Sequence, residues 1–438
     1  MQINKINYEE PLHQLTDFEY GTTLNDNEIR LLQPAQINGG HLSFQIKRVV
    51  RAQAPVYTAI SYTWGKEEKS ETIILDRRKF KVTPNLWSCL YHIGCACRSS
   101  AWTCLWVDAI CINQNDIPEK NCQVRQMDQI YRGAVCVSAW LGLPPPAQNK
   151  EVSSSAGVPP KTPQSIVFNW KDSIADLANR PYWTRRWIVQ EFLLGRCIEL
   201  YCGSTRISDD EFQNILYRKK ANNLGVLGLD SVAAARILMA RFIDMHPNIP
   251  QPLHHLLEEN WRSECEDPRD RVFALLGLVH PIERQLLGRF FPDYHIDPDH
   301  VRIIALAHCR QNPVSRIQFC SNELALGLGV GTGPQMMKLW RRAEKFNYLD
   351  SRSPAEMLEI LKLQDKLEEY GGSFPEPPPN PSNSHSLPVR LLFYLLDLLR
   401  LVDNIVFAVI GCLGWSIVVV LLGLWSLLLI LFLKLIFN

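Results

Sequence analysis

The sequence of 438 residues contains no CxxC pair, no glycine-rich phosphate loop of the GxGxxG or Walker type, no GxSxG elbow and no HExxH pair. These absences leave no motif support for a finger-type metal site, a P-loop or Rossmann nucleotide cradle, or the hydrolases built on those two signatures. Net charge is missing too: 46 Lys and Arg stand against 45 Asp and Glu, a formal +1. No field steers the whole chain onto a polyanion, so a nucleic-acid partner is not indicated. The first ten residues lack the apolar stretch of a secretory leader, and the 13 cysteines are odd in number and scattered, which reads as reduced cytosolic thiols. Cys89, Cys95 and Cys97 with His92 are the nearest approach to a metal cluster. Three of them lie on one expected helix with no second ligand pair, so they read as small buried hydrophobes.

What is present is globular: 46% hydrophobic and 21% charged residues, with length enough for two or three units. Residues 1–54 read as a lead-in whose strands 29–32 and 42–50 flank a turn at Asn38, Gly39 and Gly40. Apolar, β-prone runs at 57–62, 105–110 and 135–141 alternate with two helical patterns. The first of these helices opens at Thr83-Pro84, and the second opens at Asp116 with Glu119 three residues on, a capping-box spacing. Strand, helix, strand, helix, strand argues a parallel sheet with helices on its faces. Residues 144–163 read as a Pro- and Ser-rich insertion, 164–178 and 184–194 as helices, and 197–201 as a further strand completing a domain over 55–205. Residues 206–370 are mostly helical by pattern, and 371–388 form a proline-rich tether.

From Asn404 to Leu433 no Asp, Glu, Lys, Arg or His occurs in 30 residues, where about 20 apolar residues suffice for a helix to cross a bilayer. The expectation is a membrane-anchoring tail over 389–438, as one tilted span or a shallow hairpin, inserted in a lipid bilayer. The globular part would then remain in the cytosol.

Three stretches carry a family resemblance: AISYTWG at 59–65, LWVDAICINQ at 105–114 and RPYWTRRWIVQE at 180–191. In that order and spacing they resemble the heterokaryon incompatibility (HET) domain of filamentous fungi, over roughly 57–203. The DPRDRVFALLGL stretch at 267–278 is similar to a segment that often follows that domain. The resemblance implies a role in self/non-self recognition and programmed cell death, with self-association or other HET and cell-death proteins as partners. It also implies a distant kinship with TIR domains, whose flavodoxin-like α/β fold includes members that cleave NAD. The expected fold class is therefore a flavodoxin- or TIR-like parallel sheet with flanking helices, then a helical region and a C-terminal transmembrane segment.

Under that resemblance Glu191 and Asp108 are the candidate catalytic residues, with NAD as the substrate and no resident cofactor. Cleaving a nicotinamide–ribose bond passes through an oxocarbenium-like state that one carboxylate can stabilise. Glu191 is either that carboxylate or the ion-pair partner of Arg185 or Arg186. Asp108, a charge near the end of an apolar strand, is either an acid at a ligand cleft or a cap paired with an arginine such as Arg186. Ser61, Trp64, Asn113 and Arg186 are the candidate ligand-binding residues. Trp64 offers a face for ring stacking or is core payload, Asn113 orients a ligand or caps its loop, and Arg186 holds phosphate or a carboxylate.

Overall fold

A computed structural model of the chain describes residues 14–34, 42–96, 104–144, 169–222, 233–242, 250–312, 317–318, 320–331 and 333–369. They divide into two compact units, one of residues 1–305 with 320–342, the other of 306–319 with 343–438. The first unit is built on one mixed sheet of nine strands. In chain order these are β1 (Glu28–Pro34), β2 (Ser43–Val50), β3 (Tyr57–Ser61), β4 (Glu71–Leu75), β5 (Arg78–Val82), β6 (Cys104–Trp106), β7 (Cys136–Trp140), β8 (Ile198–Cys202) and β9 (Thr205–Ser208). Across the sheet they run β5-β4-β2-β1-β6-β3-β7-β8-β9.

The middle of this sheet, β6-β3-β7-β8, is parallel throughout. Its first strand in sequence, β3, lies between the second and the third, so connections leave it toward both sides, the arrangement that opens a crevice at the carboxyl ends of the strands. Every residue of β3 is buried, as expected of a strand flanked by parallel neighbours and covered on both faces. Toward the edges antiparallel pairs enter: β1 pairs with β2 from Glu28↔Val50 to Pro34↔Phe44, β4 with β5, and β8 with β9, while β2 and β4 run parallel. The expected hairpin at 29–50 is thus two strands of the main sheet, and its turn residues lie outside the described residues. The all-parallel sheet of the expectation is corrected to a mixed one, because the short connections of these pairs permit only antiparallel neighbours.

Helices follow from local chemistry. In α1 (Pro84–Ala96), Thr83 Oγ1 accepts from Leu86 N at 3.3 Å, Pro84 occupies the first turn, and Leu86, Leu90 and Ile93 turn one face into the core. A single turn, α2 (Asp108–Cys111), comes directly after β6. The expected helix after Asp116 is two, α3 (Ile117–Arg125) and α4 (Met127–Gly133), parted at Gln126. Past it stand α5 (Trp170–Ala178) and α6 (Ile188–Leu194), the latter packed on β3, β7 and α4.

In the second unit, Gln311 braces the chain at Phe346 and Tyr348, donating to Phe346 O at 2.6 Å and accepting from Tyr348 N at 2.8 Å. Its helix Pro354–Glu369 buries Met357 and Leu361. That helix, at 16 residues the longest among the described residues, carries glutamates and lysines throughout. Among the described residues no helix is long and apolar enough to cross a membrane, which takes about 20 apolar residues. The expected C-terminal transmembrane segment is therefore not supported. The expected membrane-anchored, cytosol-facing localisation falls with it. The tail 389–438, like the tether 371–388 and most of the insertion 144–163, lies outside the described residues.

Candidate functional site

The RPYWTRRWIVQE stretch is a row of anchors, each holding a different neighbour. Arg180 donates to Leu141 O at 2.7 Å and Leu143 O at 2.8 Å and pairs with Asp176. Pro181–Thr184 is a 3-10 turn whose Trp183 is fully buried, stacked on Phe212 and donating Nε1–H to Leu177 O at 2.8 Å. With the turn fixed, Tyr182 reaches β3 and its hydroxyl meets Ser61 Oγ at 2.8 Å. Arg185 donates to Tyr62 O. Trp187 donates Nε1–H to Asp270 Oδ2 at 2.8 Å, an oxygen pair that also receives the Tyr294 hydroxyl at 2.6 Å. Asp270 is pushed up to about 6 by burial, against those two hydrogen bonds.

Glu191 projects from α6 onto the end of β3, where Ser61 donates its hydroxyl to Glu191 Oε2 at 2.5 Å. The residue is 1% exposed, and Oε1 has no hydrogen-bond partner among the described residues. The nearby Tyr131 hydroxyl, which steadies the charge, is aimed at Ile60 O at 3.5 Å. Burial pushes the Glu191 pKa up to about 7. The Arg185 guanidinium pulls it down, and the Asp108 carboxylate adds to the rise.

Asp108 sits at the start of α2, two residues past the end of β6, with Oδ2 accepting from Trp64 Nε1 at 2.9 Å and Oδ1 from Ala109 N at 2.7 Å. Its pKa is also raised by burial, against Arg185 and Trp64. Burial works against the charge on Arg185, but Glu191 and Asp108 more than offset it. Ser61, Trp64, Asp108 and Glu191 are therefore brought together at the carboxyl edge of β3 and β6, around one guanidinium. Trp64 and Arg185 are the half-buried members.

Asn113 and Arg186 are placed elsewhere. Asn113 caps its loop: its N–H donates to Glu119 Oε1 at 2.7 Å and its Oδ1 accepts from Asn115 N at 3.2 Å. Arg186 is fully buried and donates to the carbonyls of Asn260, Arg271 (2.8 Å) and Gly327 (3.2 Å). Burial, with Arg271 nearby, pulls its pKa down to about 9. It is a clamp on backbone rather than the partner of either acid. Reading the sequence did not single out Tyr182 or Tyr131, whose hydroxyls face the cluster. The signal was Tyr131 on the inward face of a helical pattern and Tyr182 within the RPYWTRRWIVQE stretch. Among the described residues no group of three or more His, Cys, Asp or Glu is placed to hold a metal ion.

Comparison with known proteins agrees with the three stretches. Residues 57–191 match the family described as heterokaryon incompatibility protein (HET). The chain is also similar to heterokaryon incompatibility protein 6, OR allele, of Neurospora crassa, 26% identical over 308 residues, covering 55% of this chain. It spans 45% of that relative's length, less than half. No solved structure matches.

Proposed function

We propose a function from one premise: the chain carries a heterokaryon incompatibility domain over residues 57–191. On that premise the protein acts in heterokaryon incompatibility and the cell death that enforces it, with a second copy of itself or another cell-death protein as its partner. The domain does so by cleaving the nicotinamide–ribose bond of NAD, its substrate. The observation that carries the chemistry is the Glu191 carboxyl, held near pKa 7 with one oxygen unpartnered at the carboxyl ends of parallel strands. In this reading Glu191 stabilises positive charge developing on the ribose, Ser61 and Tyr182 fix its orientation, and Asp108 with Arg185 sets its proton affinity.

The test is nicotinamide release from NAD by the purified full chain beside Glu191→Gln, which keeps shape and removes the charge. A rate about 100-fold lower or less in the variant supports the reading. Equal turnover in both rejects Glu191 as the catalyst. One observation favours a second reading, a non-catalytic interaction module: Ser61 and Glu191 are each 1% exposed. No turnover in either form, at concentrations where the chain self-associates, selects it.

A further inference from the structure

At the amino ends of the same parallel strands, away from the carboxylate cluster, two thiols meet. Cys136 is the first residue of β7 and Cys197 immediately precedes β8, and their sulfurs lie 3.5 Å apart. The placement is fixed by backbone pairing: Val137 is opposite Ile198, and Val137 N–H donates to Cys197 O at 2.8 Å. Neighbouring strands lie about 4.8 Å apart, inside the Cα window of about 4.4–6.8 Å that a disulfide accepts. Side-chain rotation alone therefore brings the sulfurs to bonding distance. The two differ in access: Cys197 is exposed and Cys136 is half-buried, with its pKa raised by burial and by the neighbouring thiol. Of the other described cysteines, 89, 104, 111, 202 and 309 are buried.

We propose that Cys136 and Cys197 form an oxidant-responsive dithiol that a hydroperoxide closes into a disulfide, tying β7 to the connection between α6 and β8. The exposed Cys197 reacts first: its thiolate attacks the peroxide, the O–O bond breaks, a sulfenic acid forms and water or alcohol departs after taking up a proton. The Cys136 sulfur then attacks the sulfenic sulfur. The S–S bond forms as the S–O bond breaks, and the hydroxide released takes the Cys136 proton to leave as water. Two thiols are oxidised and one peroxide is reduced.

The bridge forms where the chain is already tightly seated. A Cβ on Gly195 would come within 2.6 Å of Ile198 Cδ1 and 2.7 Å of Val137 Cγ2, so a larger residue here would have to displace those side chains. The helix carrying Glu191 ends at Leu194, three residues before the bridge. Closing it pins the exit of that helix while keeping the strand register, and does so whether or not Glu191 is a catalyst.

The test is peroxide titration of the reduced full chain, followed by non-reducing peptide mapping and trapping of sulfenic acid with dimedone. Expected is a Cys136–Cys197 linked peptide in the majority of molecules, lighter by two hydrogens, reversed by dithiothreitol, with no sulfenic acid accumulating. In Cys136→Ser, dimedone should label Cys197. A wild-type chain that accumulates sulfenic acid at Cys197, or links a different pair, overturns the proposal. That result needs only the wild-type protein, so misfolding of the variant does not obscure it.

Discussion

Glu119 and Glu191 are both buried glutamates of the first unit, 0% and 1% exposed, and they are treated in opposite ways. Every lone-pair direction of Glu119 is used: Oε1 takes Arg30 Nη1 at 2.5 Å and Asn113 N at 2.7 Å, and Oε2 takes Arg30 Nη2 at 2.9 Å and Leu24 N at 3.2 Å. Glu191 receives the Ser61 hydroxyl on one oxygen with the Tyr131 hydroxyl nearby, and the guanidinium that faces it, Arg185, is spent on Tyr62 O and shared with Asp108. A forked, fully answered carboxylate ties β1 to α3. An under-answered one holds a proton that it can exchange near neutral pH. The difference separates a carboxylate that holds the fold from one kept poised at a cost in stability.

The largest expected effect comes from breaking the satisfied pair. Arg30→Ala leaves Glu119 buried without its countercharge and should lower stability by about 3–5 kcal/mol in urea unfolding. A loss below 1 kcal/mol would erase the contrast. Next is the pH dependence of Glu191. The folded protein holds this proton more tightly than the unfolded chain, whose carboxyl titrates near 4.5, with the folded group at about 7. The contribution is fully present below pH 4.5 and is lost as the pH rises through about 7, at up to about 1.4 kcal/mol per pH unit. Asp108 and Asp270, also raised by burial, add slopes of the same sign from the lower end of this range. Glu191→Gln should therefore flatten part of the decline and, above pH 7, leave the protein as stable as wild type or more so. Unfolding curves at several pH values check this, and parallel curves for the two proteins would return Glu191 to the class of Glu119. The smallest effect is at the half-buried rim: Trp64→Phe removes the donor to Asp108 Oδ2 and should cost about 1 kcal/mol.

Much of the parallel centre was readable before folding. The apolar runs at 57–62, 135–141 and 197–201 correspond to β3, β7 and β8, because strands buried on both faces leave continuous hydrophobic runs. The run at 105–110 was read too long. Only Cys104–Trp106 is strand, and Asp108 opens a helical turn, since its carboxylate takes the N–H of Ala109. The capping-box spacing of Asp116 and Glu119 was half right. Asp116 Oδ1 does accept from Glu119 N at 3.0 Å, but the Glu119 carboxylate turns inward to Arg30, 89 residues away. Nothing in the spacing favours that distant partner over the local one. Arg185 and Arg186 illustrate the same limit, for adjacent arginines are sent to different tasks. One faces the two acids, and the other clamps the carbonyls of residues 260, 271 and 327.

Local periodicity and three short stretches were thus enough to determine the strands of the parallel centre and the family that residues 57–191 match, because burial writes its pattern directly into neighbouring residues. The folded chain decided which charges meet. It placed Glu191 against Ser61 across 130 residues and Cys136 against Cys197 across 61. A side chain's proton affinity depends on whatever surrounds it in space, and those surroundings come from strands and helices far apart in sequence.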